Sequence, residues 1–238
     1  MSNQVLAVIS NYKRPQNVGP IVEQLLADGG CDVVIADNSP DGSSDQCLLP
    51  WDKLFDVWKW RVNSGPPARW WPALAWTHAY RYVMLVDDDH LLVPNLAKSL
   101  VAQAERMGDK FAVMGRVGRC FRHRHGRWQY RRRNHQRGPV DMAGAGYFLV
   151  AERLLSAVRF RDELAKAGAL PQMLFHDDIL LNMSIQRDYG FQSVMPEGGW
   201  ASKRMDTRGY AFNATAAYLD VRDDLINLCA TLGWKSLL

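Results

Sequence analysis

The chain has 238 residues, of which 47% are hydrophobic and 23% charged, and its formal net charge is +4. This suits one large domain with a sizeable core and argues against a disordered or fibrous chain. No run of about 18 apolar residues marks a membrane span, and the start of the chain lacks a secretory pattern. The cysteines Cys31, Cys47, Cys120 and Cys229 are scattered, with no C-x-x-C pair, so neither a zinc site nor a disulfide framework is expected. A cytoplasmic protein is the expectation.

Val5 to Ser10 reads as a buried strand, followed by the polar loop Asn11-Tyr12-Lys13-Arg14-Pro15. Pro15 suits the first turn of a helix, in which Val18, Ile21, Val22, Leu25 and Leu26 recur at helical spacing. Pro20 is expected to break that helix or shift its start, and Gly29-Gly30 ends it. Val33 to Ala36 is a second buried strand, closed by Asp37-Asn38-Ser39-Pro40-Asp41-Gly42. A strand-helix-strand unit predicts a right-handed crossover and a parallel pairing. Asp56 to Val62 reads as another strand, Asn63 to Arg69 as a loop set by one glycine and two prolines, and Trp70 to Tyr80 as a helix.

Tyr82-Val83-Met84-Leu85-Val86 then runs directly into Asp87-Asp88-Asp89. An apolar run without alternation reads as a strand buried on both faces. Ionised carboxylates cannot continue that burial, so they belong at the strand's carboxyl end, where open α/β sheets bind ligands. Crowded carboxylates call for a cation, and hard oxygen donors suit Mg²⁺ or Mn²⁺. The alternative is an exposed acidic turn that caps the next helix.

Pro94 starts a helix through Leu96, Leu100, Val101 and Ala104, and Phe111 to Gly115 reads as a strand. Residues 116–137 then hold nine arginines and no acidic residue, so the rest of the chain is net acidic. Phe121, Trp128 and Tyr130 interleave with Arg122, Arg124, Arg127, Arg131, Arg132 and Arg133. Arginines pair with phosphates and aromatic faces stack on bases, so this segment suits a polyanion. A solvated hairpin, or a surface for anionic glycans or lipid head groups, remains open beside that reading.

Met142 to Val150 returns to small and apolar residues, with a helix from Ala151. Asp177 and Asp178, after His176, fall in the first turn of a helix carrying Ile179, Leu180, Met183 and Ile185. Phe191 to Met195 is a short strand, Trp200 to Phe212 a loop with Lys203, Arg204 and Arg208, and residues 214–232 a last helix. The alternation predicts an α/β sheet covered on both faces. There is no G-x-G-x-x-G after the first strand and no G-x-x-x-x-G-K-[ST], which excludes those dinucleotide and P-loop signatures.

In this order the residues resemble GT-A-fold, nucleotide-sugar-dependent glycosyltransferases of the family-2-like and exostosin-like kind. The strand entering Asn11 to Pro15, the strand ending at Asp37-Asn38, Asn63 to Arg69 before a helix, the D-x-D-like triplet Asp87-Asp88-Asp89, and His176-Asp177-Asp178-Ile179 with Asn182 carry the likeness. It covers roughly residues 4–200. It implies a Rossmann-like, mostly parallel sheet flanked by helices in a single domain, with a donor half over 1–115. The acceptor half, 116–238, would hold the basic insertion and the C-terminal helix. It implies a UDP- or GDP-sugar donor held by Asn11, Tyr12, Arg14, Asp37, Asn38, Asn63, Arg69, Asp87 and Asp88, and Mn²⁺ or Mg²⁺ on Asp87 and Asp89. Asp178 or Asp177 would be the general base of an inverting transfer, or would position the acceptor in a retaining one; N-capping alone is the plain alternative for Asp177. Lys203, Arg204 or Arg208 would contact the leaving diphosphate. With the basic segment, a hydroxymethylated base in DNA becomes a candidate acceptor, as in viral DNA-modifying members. A glycan or small acceptor, a non-catalytic nucleic-acid binder on the same scaffold, and a nucleotidyltransferase are the competing classes.

Overall fold

The computed structural model describes residues 4–52, 55–130, 138–205 and 217–237. In chain order the elements are β1 (Val5–Asn11), α1 (Pro15–Asp28), β2 (Cys31–Asp37), α2 (Asp45–Asp52), β3 (Asp56–Lys59), α3 (Trp70–Ala75), β4 (Tyr82–Val86), β5 (His90–Leu92), α4 (Leu96–Arg106) and β6 (Met114–Arg119). There follow β7 (Arg122–Arg124), β8 (Arg127–Gln129), β9 (Gly138–Val140), β10 (Met142–Val150), α5 (Leu154–Lys166), α6 (Asp177–Tyr189), β11 (Ser193–Met195), β12 (Ala201–Arg204) and α7 (Ala217–Thr231).

Eight strands form the central sheet in the order β3-β2-β1-β4-β10-β6-β11-β9. The first four are parallel. β10 runs antiparallel to both β4 and β6, β11 is parallel to β6, and β9 closes the sheet antiparallel. The sheet is therefore mostly parallel with helices on both faces, as the alternation predicts. Val5, Ala7 and Ile9 face α1 and α4, whereas Leu6 and Val8 face the layer of α3, α5, α6 and α7. This two-sided burial is why these strands read as unbroken apolar runs.

Several elements differ from expectation. Pro20 lies inside α1, exposed to solvent, without ending it. The helix expected to reach Tyr80 ends at Ala75, where the Thr77 hydroxyl and NH both bond the Leu74 carbonyl and tighten the turn. The strand expected at Phe111 starts at Met114 and runs to Arg119, so Arg116 and Arg119 belong to the main sheet. The hairpin is confined to β7 and β8. The late loop contains β12, which pairs with β5. Arg131, Arg132, Arg133 and Arg208 lie outside the described residues.

One irregularity shapes the centre. The β10–β6 register shifts between Gly144 and Tyr147, with Ala145 at φ 57° and Gly146 at φ 96°. Bulges of this kind re-aim side chains, and Tyr147 is delivered into the cleft. A Cβ on Gly146 would lie 2.7 Å from Trp200 Nε1. Gly146→Ala is therefore expected to cost about 2–4 kcal/mol through strain and overpacking, read by urea unfolding. A loss under about 0.5 kcal/mol, the range of an ordinary surface change, would contradict the assignment.

Candidate functional site

The carboxyl ends of β1, β2 and β4 open on one cleft of about 590 Å³. β1 lies between β2 and β4, so the chain order reverses there, the position where open α/β sheets bind ligands. Ser10 Oγ donates to the Val86 carbonyl (3.1 Å) and the Tyr12 NH donates to Asp88 Oδ2 (3.0 Å), tying the two strand ends together.

The acidic triplet meets a separate partner at each residue. Arg69 Nη1 donates to Asp87 Oδ1 (2.6 Å) and Arg14 Nη2 to Asp88 Oδ1 (2.9 Å). Asp89 bonds His90 Nδ1, and Arg116 Nη1 donates to His90 Nε2 (2.7 Å). A guanidinium can only donate, so the His90 proton that faces Asp89 sits on Nδ1. Burial pushes the Asp88 carboxyl up to about 7 against the pull of Arg14 and the Tyr12 NH. Burial also works to raise Asp89, but the His90 bond and nearby cations outweigh it and hold that carboxyl below its usual value. Asp88 thus braces the loop, while Asp87 and Asp89 stay 30% and 25% exposed.

Arg69 also reaches the late acidic pair. Its Nε and Nη2 donate to Asp177 Oδ2 (3.1 and 2.7 Å), and its guanidinium lies 4.7 Å from the Tyr147 ring centre. Tyr147 OH donates to Asp177 Oδ1 (3.2 Å). Asp177 therefore does not cap α6, whose N-cap position His176 makes no side-chain cap bond. Burial raises the Asp177 carboxyl to about 6 despite Arg69. Asp178 turns the other way: Arg222 Nη2 of α7 bonds its Oδ2, and the Ile179 NH bonds its Oδ1 (2.9 Å). Burial works to raise Asp178, but Arg222 outweighs it and the carboxyl sits below its usual value. Burial holds His176 down to about 4, so its ring is neutral at physiological pH. Asn182 is a staple: its amide exchanges two 2.8 Å bonds with the Ala143 backbone, fixing α6 on β10.

Asn11, Tyr12, Arg14, Asn38, Asn63, Arg69, Asp87, Asp88, Asp89, Asp177, Asp178 and Arg204 all line this cleft. Asn38 accepts from the Ser64 NH (2.9 Å) and donates to Asn63 Oδ1 (2.7 Å), holding the loop before Gly65. Asp37 does not line it. Asp37 is 2% exposed and accepts from Asn11 Nδ2 (2.8 Å) and the Ser39 NH (3.1 Å), so it braces the wall from behind. Lys203 faces a neighbouring cleft, lined also by Arg116. Arg122 and Arg124 are exposed on the hairpin, and Arg127 pairs with Asp224 of α7 (2.7 Å). Trp128 packs edge-on against Trp234 and bonds Asn227 through its backbone. The aromatic residues of the basic segment are thus spent on docking α7.

Tyr147, Phe175, Tyr218 and Arg222 were not singled out from the sequence. A lone Arg inside an amphipathic helix carries no motif. The Tyr218–Arg222 spacing of one helical turn is the only local signal.

Among the described residues, no group of three or more His, Cys, Asp or Glu side chains is placed to hold a metal ion alone. Asp87 and Asp89 nevertheless offer two hard carboxylates on the cleft wall. That donor set fits a Mg²⁺ or Mn²⁺ that completes its shell from water and substrate phosphates.

The raised Asp177 carboxyl has a sign. Its folded pKa exceeds its unfolded value, so its contribution to stability is full below the unfolded pKa and is lost as pH rises through about 6. In urea unfolding from about pH 4 to about pH 7, the wild type is expected to lose stability relative to Asp177→Asn. Parallel curves would contradict this.

The glycosyl transferase family 2 profile matches residues 6–157. The fold is similar to S. aureus TarS 1–349 in complex with UDP-GlcNAc, at 13% identity and a TM-score of 0.60, covering 93% of this chain and 65% of that one. The complex of the same fragment with UDP gives 13%, 0.59, 96% and 64%. A longer TarS structure gives 13%, 0.55, 83% and 36%. The chain thus spans less than two thirds of the length of these relatives. A comparison with curated proteins finds no match. With the profile spanning β1 through the start of α5, well over half of its length, the chain belongs to glycosyl transferase family 2.

Proposed function

We propose that the chain transfers a sugar from a UDP-sugar to a hydroxyl acceptor. The observation that carries this reading is the joining of Asp87 and Asp177 by one buried Arg69, which sets the two acidic motifs on facing walls of a single cleft. Family membership supports the reaction class, and the UDP and UDP-GlcNAc complexes of TarS support the donor.

In this reading the donor lies over Asn11 to Arg14 and the Asn38–Asn63 wall, with its diphosphate toward Asp87 and Asp89. Mg²⁺ or Mn²⁺ held there by Asp87 and Asp89 would neutralise charge on the diphosphate. Arg204, reaching the cleft from β12, adds positive charge on the leaving side. The acceptor oxygen bonds the anomeric carbon as the bond from that carbon to the β-phosphate oxygen breaks. The phosphate oxygen leaves with the electron pair, and the hydroxyl proton passes to Asp178.

Asp178 is preferred over Asp177 as the base because its side chain is 17% exposed against 7%. Arg222 keeps Asp178 ionised at neutral pH, so it is ready to accept. The test is UDP release from a panel of UDP-sugars with and without Mn²⁺. Asp178→Asn is expected to cut turnover about 10²- to 10⁴-fold while UDP still binds. Asp89→Ala is expected to remove the Mn²⁺ stimulation. Full activity in either variant would remove that residue's role.

A second reading concerns the acceptor. Arg122 and Arg124 are exposed on a hairpin whose outgoing residue, Tyr130, stacks on Arg222 at the cleft, 4.3 Å from the ring centre. In this reading the exposed arginines would supply positive charge for a polyanion, including DNA carrying a hydroxymethylated base, which would have to be flipped from the stack. Duplex DNA is expected to be retarded on a gel at about 50 mM salt and released by about 200 mM. Free migration at the lower salt would leave a glycan or small acceptor.

A further inference from the structure

The family profile ends at residue 157, yet one wall of the cleft comes from α7, sixty residues later in the chain. Its inward residue is Arg222, 1% exposed, whose two terminal nitrogens are committed while its Nε has no hydrogen-bond partner among the described residues. Nη2 bonds Asp178 Oδ2, and Nη1 donates to Tyr218 OH (2.5 Å) and faces His176 Nδ1 at 3.3 Å. The rings of Tyr130 and Tyr218 lie 4.3 and 5.1 Å from it. Leu225, Ile226 and Cys229 bury the same helix in the core, and Trp128 bonds Asn227 from the hairpin. The guanidinium therefore stands at a fixed point rather than at the end of a mobile stem.

We propose that Arg222 is the positioning residue for Asp178, so that the C-terminal helix, outside the segment that defines the family, completes the acceptor side of the site. This rests on the reading of Asp178 as the base. A carboxylate oxygen has two lone pairs, so the bonds from Arg222 and the Ile179 NH fix the group while leaving capacity to accept from a hydroxyl. A fixed base is worth more than a rotating one, because the reacting geometry is set before the substrate arrives. The cost is basicity: the same cation that aims the carboxylate also weakens it as a proton acceptor.

The groups facing Asp178 can be named from every packed element. Arg222 and Tyr218 approach from α7, Tyr147 from β10, and His176 and Asp177 from its own helix start, with Arg69 behind Asp177. Arg222 is the one full positive charge in direct contact with the Asp178 side chain among the described residues. Removing it leaves Asp177 and a neutral His176 as the main influences, and both burial and Asp177 then favour the protonated form.

The experiment is a ¹³C carboxyl titration of aspartate-labelled protein, with the Asp178 signal assigned by its loss in Asp178→Asn. Arg222→Met is expected to raise the Asp178 midpoint by about one to three pH units, and Arg222→Lys to restore part of the difference. The acidic limb of the UDP-release profile is expected to move with it, with kcat falling and the donor KM unchanged. If Arg222→Met does not fold, Arg222→Lys and Tyr218→Phe, which keep the charge but loosen it, are expected to show a smaller shift in the same direction. Folded variants whose midpoint and limb both stay at the wild-type position would overturn the proposal. Turnover retained in Asp178→Asn would instead overturn the reading of the base.

Discussion

Arg69 is the constraint on which the rest of the cleft depends. It stands at the end of a short 3₁₀ helix, 3% exposed, and its guanidinium is divided between Asp87 at the end of β4 and Asp177 at the start of α6. Burying a guanidinium is costly unless its donors are met, and two neighbouring carboxylates repel unless a cation stands between them. Each problem is the other's solution. The result is that two motifs far apart in sequence are locked at a fixed separation before any ligand arrives. The loop that delivers Arg69 is itself fixed: Gly65, at φ 72°, lets Phe175 pack so closely that a Cβ there would lie 2.4 Å from Phe175 Cδ1. Phe175 directly precedes His176, so the same contact joins the approach to Arg69 with the approach to the late acidic pair.

The two halves of the sheet serve this arrangement differently. The parallel strands β1, β2 and β4 bring polar loops to one edge, as any open α/β sheet does. The antiparallel β10 adds what parallel strands cannot. Its bulge turns Tyr147 under Arg69, and Asn182 pins α6 against the same strand. The hairpin of β7 and β8 and the helix α7 then form one docked unit through Trp128, Trp234 and Asn227, and that unit carries Arg222 into the site. That wall of the cleft is thus assembled from parts that share no local sequence signature.

How much was legible follows from this. β4 and its triplet could be read because a run of apolar side chains can be buried on both faces of a sheet, whereas three carboxylates must leave it. The bounds of β4 match the structure. The first turn of α6 could be read for the same reason, since Asp177 and Asp178 precede an apolar helix. The helix α2 was missed because Pro50 and a weakly amphipathic pattern mask it. β5 and β12 were missed because strands of three and four residues carry too little periodicity. Asp37 lay at the expected strand end but turned its carboxylate onto Asn11 and Ser39, and no spacing rule gives the direction of a side chain at a loop. Arg69 was expected near a diphosphate; its commitment to Asp87 and Asp177 is a long-range pairing that only the folded chain reveals. The aromatic residues of the basic segment looked like stacking platforms because interleaving alone does not distinguish a base-binding face from a hydrophobic anchor.

The most direct measurement is a crystal structure of the protein with UDP and Mn²⁺. The account predicts the nucleotide in the cleft between Tyr12 and the Asn63–Gly65 loop, with its diphosphate at Asp87 and Asp89. Arg69 should still bridge Asp87 and Asp177. A nucleotide bound in the neighbouring cleft of Arg116 and Lys203, or an Arg69 withdrawn from Asp177 onto the phosphates, would contradict it.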